Sequence, residues 1–150
     1  MIQLNLPSFE YKLRKAEGKL WIFDVIRKKY IVLIPEEWVR QHFINFLIKH
    51  LSYPRSLIKV EGGLQYNQLQ KRSDIVVFDR NGNPWMVIEC KAPEVKISQN
   101  SLMQAALYND TLKAKFITVS NGLTHLYAEI NWKERTTLWL EQMPAYPVES

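Results

Sequence analysis

Asp74, Glu89 and Lys91 are the residues of this 150-residue chain whose types and spacing best suit chemistry. They lie in two apolar runs, Ser73 to Asp79 and Pro84 to Lys91, joined by Arg80-Asn81-Gly82-Asn83. Asn-Gly between β-branched and aromatic runs predicts a β-hairpin with a two-residue type I′ turn, which needs positive φ at both central residues. With Asn81 and Gly82 as the loop, Arg80 faces Asn83, Asp74 faces Glu89, and Arg72 faces Lys91. Facing Cβ atoms on one side of an antiparallel pair are roughly 4.5–5.5 Å apart, and like charges there repel. At about 4 Å two unit charges interact by roughly 4 kcal/mol at an effective dielectric near 20. Such a pair raises one pKa or takes a cation.

Lys91 shares a face with Glu89, Val76, Phe78, Val87 and Trp85, while Ile75, Val77, Met86, Ile88 and Cys90 take the other. One lysine does not neutralise two acids, so the expectation is a divalent ion, Mg2+ or Mn2+, held by Asp74, Glu89 and the Cys90 carbonyl. Waters and phosphate oxygens would complete its shell. The alternative is an internal salt bridge from Lys91 to Glu89 or Asp74 in an ordinary sheet.

A hairpin apolar on both faces belongs in a sheet covered by helices on both sides. Lys19 to Ile26 and Lys29 to Ile34 read as short strands. Pro35 then opens a helix, with Glu36 and Glu37 matching its dipole and apolar residues continuing from Val39 to Leu51. Leu57 to Glu61 is a strand ended by Gly62-Gly63, and the central hairpin follows. Ser98 is the N-cap of a second helix running to about Thr111. Ala114 to Ser120 and Leu123 to Ile130 form another hairpin about Asn121-Gly122, and Thr136 to Leu140 adds an edge strand. The predicted fold class is mixed α/β (α+β): one domain with a central mixed sheet flanked by helices.

Apolar residues make up 47% and charged residues 23% of the chain, as in a soluble globular fold. No apolar run is long enough to span a membrane, and Met1 to Pro7 lacks the regions of a signal peptide, so a cytoplasmic location is expected. Cys90 is the only cysteine, which excludes an internal disulfide and a multi-thiolate zinc site. His42, His50 and His125 lack metal-ligand spacing, no Gly-x-Ser-x-Gly elbow occurs, and Cys90 has no evident base beside it. The net charge of +5 is uneven: residues 1–60 carry eleven Lys or Arg against five acids, the remainder nine against ten. Lys12, Arg14, Lys15, Lys19, Arg27, Lys28 and Lys29 would attract a polyanion, of which nucleic acid is the usual one.

The order of elements, with Pro35-Glu36-Glu37-Trp38-Val39-Arg40-Gln41, Arg72-Ser73-Asp74, Glu89-Cys90-Lys91, Gln104-x-x-x-Tyr108 and Val119-Ser120-Asn121-Gly122, resembles the PD-(D/E)XK nuclease superfamily. It is closer still to the nuclease domain at the N-terminus of type I restriction enzyme R subunits. The resemblance spans roughly residues 20–130. It implies a restriction-endonuclease-like core and Mg2+-dependent hydrolysis of DNA phosphodiester bonds. Asp74 and Glu89 would be the metal ligands, and Lys91 would orient the water or stabilise charge at the phosphate. It further implies a first-helix glutamate at the site. Glu36 and Glu37 point about 100° apart, and the choice falls on Glu37 with Glu36 as the alternative. Gln104 and Tyr108, on one helical face, would reach the phosphate or the water, with Arg72 and Asn121 near the substrate. Implied partners are DNA and other restriction-system or helicase subunits, with a homodimer left open. The contrasting expectation is a catalytically inactive nucleic-acid-binding or assembly module that keeps the fold. No Gly-x-x-x-x-Gly-Lys loop occurs in these 150 residues, so ATP-driven translocation lies outside them.

Overall fold

A computed structural model describes residues 1–60 and 74–147. Arg72 and the Gly62-Gly63 turn lie outside the described residues. Three strands come first, β1 (Leu13–Ala16), β2 (Lys19–Asp24) and β3 (Lys29–Val32), paired antiparallel in that order. The first of them was not foreseen. Helix α1 (Pro35–Asn45) begins on proline with Glu36 and Glu37 in its first turn, as expected, and runs on through a π-helical stretch over Phe46–His50. Then follow β4 (Ile58–Val60), β5 (Ile75–Phe78), β6 (Pro84–Cys90), α2 (Gln99–Tyr108), β7 (Phe116–Ser120), β8 (His125–Asn131) and β9 (Thr136–Leu140).

Strands β4 to β9 make one six-stranded sheet in sequence order. It is mixed. Only the β6–β7 pair is parallel among the described strands, and α2 is the crossover between them. Ser98 caps α2 in a reciprocal capping box with Ser101.

Alternation along β5 and β6 sends apolar side chains to both faces, and a helix covers each. Ile75, Val77, Met86 and Ile88 pack with Val39, Phe43, Ile44 and Leu47 of the α1 segment. Val76 and Val87 pack with Leu102, Ala105 and Ala106 of α2. Ile75, Met86 and Ile88 are wholly buried, which stabilises the fold by about 1.5–3 kcal/mol for each side chain.

The central hairpin keeps the expected register by a different route. Ile75 pairs with Ile88 and Val76 with Val87, so the next facing positions outward are Asp74 and Glu89. The turn, however, is not type I′. Asp79 N–H donates to the Asn83 carbonyl (2.9 Å) and Gly82 N–H to the Asp79 carbonyl (3.1 Å), giving a three-residue loop, Arg80 to Gly82. Gly82 alone of these has positive φ (87°), and the Asp79 carboxylate accepts the Asn81 and Asn83 N–H groups. The longer loop would shift the register by one, but pairing jumps from Phe78–Pro84 to Val77–Met86, leaving Trp85 as the extra residue of a β-bulge. The two deviations cancel. The bulge also breaks alternation at Trp85, which packs with Tyr53, Phe116 and Tyr146 on the α1 side instead of sharing the face of Val87.

Candidate functional site

A ladder of buried charges runs from the β2–β3 turn to the start of β5. Asp24 starts it. Its Oδ1 accepts the backbone N–H groups of Ile26 and Arg27, both at 2.8 Å, and its Oδ2 accepts Arg27 Nε and Gln41 Nε2, also at 2.8 Å. Burial opposes the charge on Asp24, but these donors outweigh it and hold the carboxyl below its usual range. Arg27 then reaches Glu37 Oε2 (2.9 Å), which also accepts from Gln41 Nε2 (2.8 Å), while Arg40 binds Glu37 Oε1. Glu37, Arg40 and Gln41 can meet because positions i, i+3 and i+4 share a helical face.

Arg40 carries the ladder into the sheet. Its Nη2 donates to Asp74 Oδ1 (2.9 Å) and to Glu36 Oε2 (3.1 Å), and the Cys90 N–H donates to Asp74 Oδ2 (2.6 Å). Burial opposes the guanidinium charge, yet Asp74 and Glu37 together push its pKa above the ordinary arginine value. Next along β6, Lys91 Nζ lies 3.5 Å from Glu89 Oε1. Its backbone N–H donates to the Ser120 carbonyl, tying the end of β6 to β7. Lys91 is 43% exposed against 13% for Glu89 and 17% for Asp74, so the ammonium lies at the solvent side of the cluster.

Glu36 links the two halves. Burial and the Asp74 charge raise its carboxyl pKa, while Arg40 and Lys91 pull it down. It therefore lies within electrostatic reach of both Asp74 and Lys91. Among the described residues, five carboxylates (Asp24, Glu36, Glu37, Asp74 and Glu89) and three cations (Arg27, Arg40 and Lys91) make up these ion pairs. Carboxylate oxygens near a strand end are the ligand type that suits a divalent cation. The side chains supply oxygen donors and few competing soft ligands. The Cys90 thiol is buried and its pKa is pushed up by that burial and by Asp74, so it stays a protonated core group. Among the described residues no group of three or more His, Cys, Asp or Glu is gathered as metal ligands.

The two candidate glutamates are unlike. Glu37 is buried with both oxygens engaged by Arg27, Arg40 and Gln41, whereas the Glu36 side chain is 40% exposed beside Asp74. Asn121 is also fully engaged. Its Oδ1 accepts the Leu123 (2.9 Å) and Thr124 (2.8 Å) N–H groups, and its Nδ2 donates to the Val95 carbonyl (2.7 Å), pinning the segment that leaves Lys91. Gln104 and Tyr108 are exposed on α2, whose buried side, with Leu102, Ala105 and Ala106, packs on the sheet face of Val76 and Val87.

Sequence reasoning found the Glu36–Arg40 ion pair but overlooked the bridge from Arg40 to Asp74 and the Asp24–Arg27–Gln41 anchor. The helical half of that signal was present as Glu37, Arg40 and Gln41 on one face. Its other half is a tertiary contact from a turn, which no local pattern announces.

No helix among the described residues is long and apolar enough to cross a membrane. No curated protein matches the chain. A family model does: residues 35–144, from the first turn of α1 through β9, match the type I restriction enzyme R protein N terminus (HSDR_N), and the chain belongs to that family.

Proposed function

We propose that this chain is a metal-dependent nuclease of the PD-(D/E)XK kind that hydrolyses DNA phosphodiester bonds, acting with DNA and other restriction-system subunits. The observation that carries this reading is the register that sets Asp74 opposite Glu89, with Lys91 3.5 Å from Glu89 at the exposed side. Asp74 and Glu89 would hold Mg2+ or Mn2+ with the Cys90 carbonyl, and Glu36, being exposed and beside Asp74, suits the helix position better than Glu37. Each carboxylate oxygen of Asp74 has a further lone pair beyond the one given to Arg40 or Cys90. The bound ion would supply Lewis-acid polarisation of a phosphoryl oxygen. Lys91 then orients water or stabilises negative charge at the phosphate. Arg40 fixes Asp74, and Glu37 fixes Arg40, so both are positioning residues.

The test is incubation with single- and double-stranded DNA in Mg2+ or Mn2+. Cleavage by the wild type that is lost in Lys91→Ala supports the assignment, and undiminished cleavage in that variant removes it. The second reading, a nucleic-acid-binding module without catalysis, is favoured by the prior engagement of both Asp74 oxygens. It expects salt-dependent DNA binding, no cleavage, and no calorimetric Mn2+ signal that Asp74→Ala abolishes.

A further inference from the structure

The three-stranded sheet lies before residue 35, outside the segment matched by the family. Its two faces differ sharply. Ile22 and Asp24 are wholly buried and mark the inner face. Trp21 and Phe23, by alternation, point to the outer face. The register Arg14–Trp21–Val32 and Phe23–Tyr30 places Arg14 and Tyr30 there with them, and Lys12 joins through the Phe23 N–H bond to its carbonyl. Lys12 Nζ stands 5.7 Å from the Phe23 ring centre, the Arg14 guanidinium 5.2 Å from that of Tyr30, and the two rings meet at 5.3 Å. Lys19 extends the same face. Among the described residues, neither apolar cluster contains Trp21, Phe23 or Tyr30. The only acid within these three strands, Asp24, is turned inward.

We infer that this outer face binds single-stranded DNA, with phosphates on Lys12, Arg14 and Lys19 and bases stacked against Tyr30, Phe23 and Trp21. Charge complementarity selects a polyanion, because three cations face outward with no strand acid among them. Aromatic rings between the cations select unpaired bases, since a duplex offers phosphates but keeps its base faces internal. The planar Arg14 guanidinium over Tyr30 is itself a surface on which a base stacks. This binding does not depend on cleavage at Asp74 and Glu89.

The experiment is fluorescence anisotropy of a labelled single-stranded oligonucleotide and the matching duplex with the full chain. EDTA is present throughout, so the outcome is separate from any metal-dependent cleavage. The single strand should bind more tightly than the duplex, with a log–log salt slope of about −2 for three phosphate contacts. Tyr30→Ala should weaken it by about tenfold, Arg14→Glu should weaken it further, and Tyr30→Phe should retain it. Tryptophan emission should be quenched on binding, and Trp21→Phe should remove that quenching. Circular dichroism and melting of each variant exclude unfolding as the cause. Equal or tighter binding to duplex, quenching that survives Trp21→Phe, or unchanged affinity in folded Tyr30→Ala would each overturn the inference.

Discussion

Replacing Asp24 by alanine should cost far more than its place in a turn suggests. The carboxylate is wholly buried and accepts four N–H groups, two from the backbone and two from the side chains of Arg27 and Gln41. Its removal leaves donors without acceptors where little water reaches, and breaking a buried ion pair in this way costs about 3–5 kcal/mol. At about 2–4 °C per kcal/mol for a domain of this size, Tm should fall by roughly 6–20 °C. Asp24→Asn separates the contributions. Its carbonyl oxygen can still serve the Ile26 and Arg27 backbone, but its amide would oppose Arg27 Nε and Gln41 Nε2, so the variant should fall between wild type and Asp24→Ala. The linkage has a definite sign. Because the folded carboxyl pKa lies below the ordinary 3.8, this stability is fully present above that value and is lost as pH falls through the folded pKa. Urea unfolding followed by tryptophan fluorescence, repeated across acid pH, reads both effects. A loss under about 1 kcal/mol in Asp24→Ala would refute the ladder as the anchor of α1.

Arg40→Met keeps bulk but strands Glu37 and Asp74, so it should cost about 3–5 kcal/mol. Added Mn2+ should restore more of the lost Tm in this variant than it adds to wild type. Gly122→Ala should be destabilised by about 1–2 kcal/mol from its positive φ of 87° alone. A further loss should come from the new Cβ, placed 2.8 Å from Leu4 Cδ2 and 3.2 Å from Val39 Cγ2, and adding Leu4→Ala should relieve only the Leu4 part of it in a melting comparison. Glu36→Gln should raise stability relative to wild type as pH climbs above 4.5. The Glu36 pKa is raised in the fold, so its ionisation weakens the folded state above that point and not below the unfolded value, and paired pH–stability curves check it. Asn121→Ala should cost about 1–3 kcal/mol in urea unfolding, through three lost partners at a buried turn.

The elements of the sheet and helices were legible where local chemistry is strong. Pro35 with Glu36 and Glu37 marked the start of α1, and Ser98 marked that of α2. The pairing of Ile75 with Ile88 was foreseen from a turn type that does not occur. It held because the Trp85 bulge returned the residue that the longer loop had taken, and a tryptophan in a strand gives no sign that it will bulge. Strand β1 escaped notice because Leu13 to Ala16 is half charged and almost wholly exposed, so no alternation of burial reveals it. At the candidate site, proximity in sequence brought out Glu89 and Lys91, while periodicity could not choose between adjacent glutamates. What distinguishes Glu36 from Glu37 is the distant Arg27, which engages one and leaves the other to solvent.

The placement of the charge ladder separates two responses to ionic strength. Arg27 and Arg40 are 13% and 9% exposed, and their partners Asp24 and Glu37 0% and 4%, so dissolved ions screen these contacts weakly. Attachment of a polyanion to an open basic surface is screened strongly. On the proposed binding, concentrated sodium chloride should therefore strip nucleic acid from this protein during purification while leaving its scaffold standing.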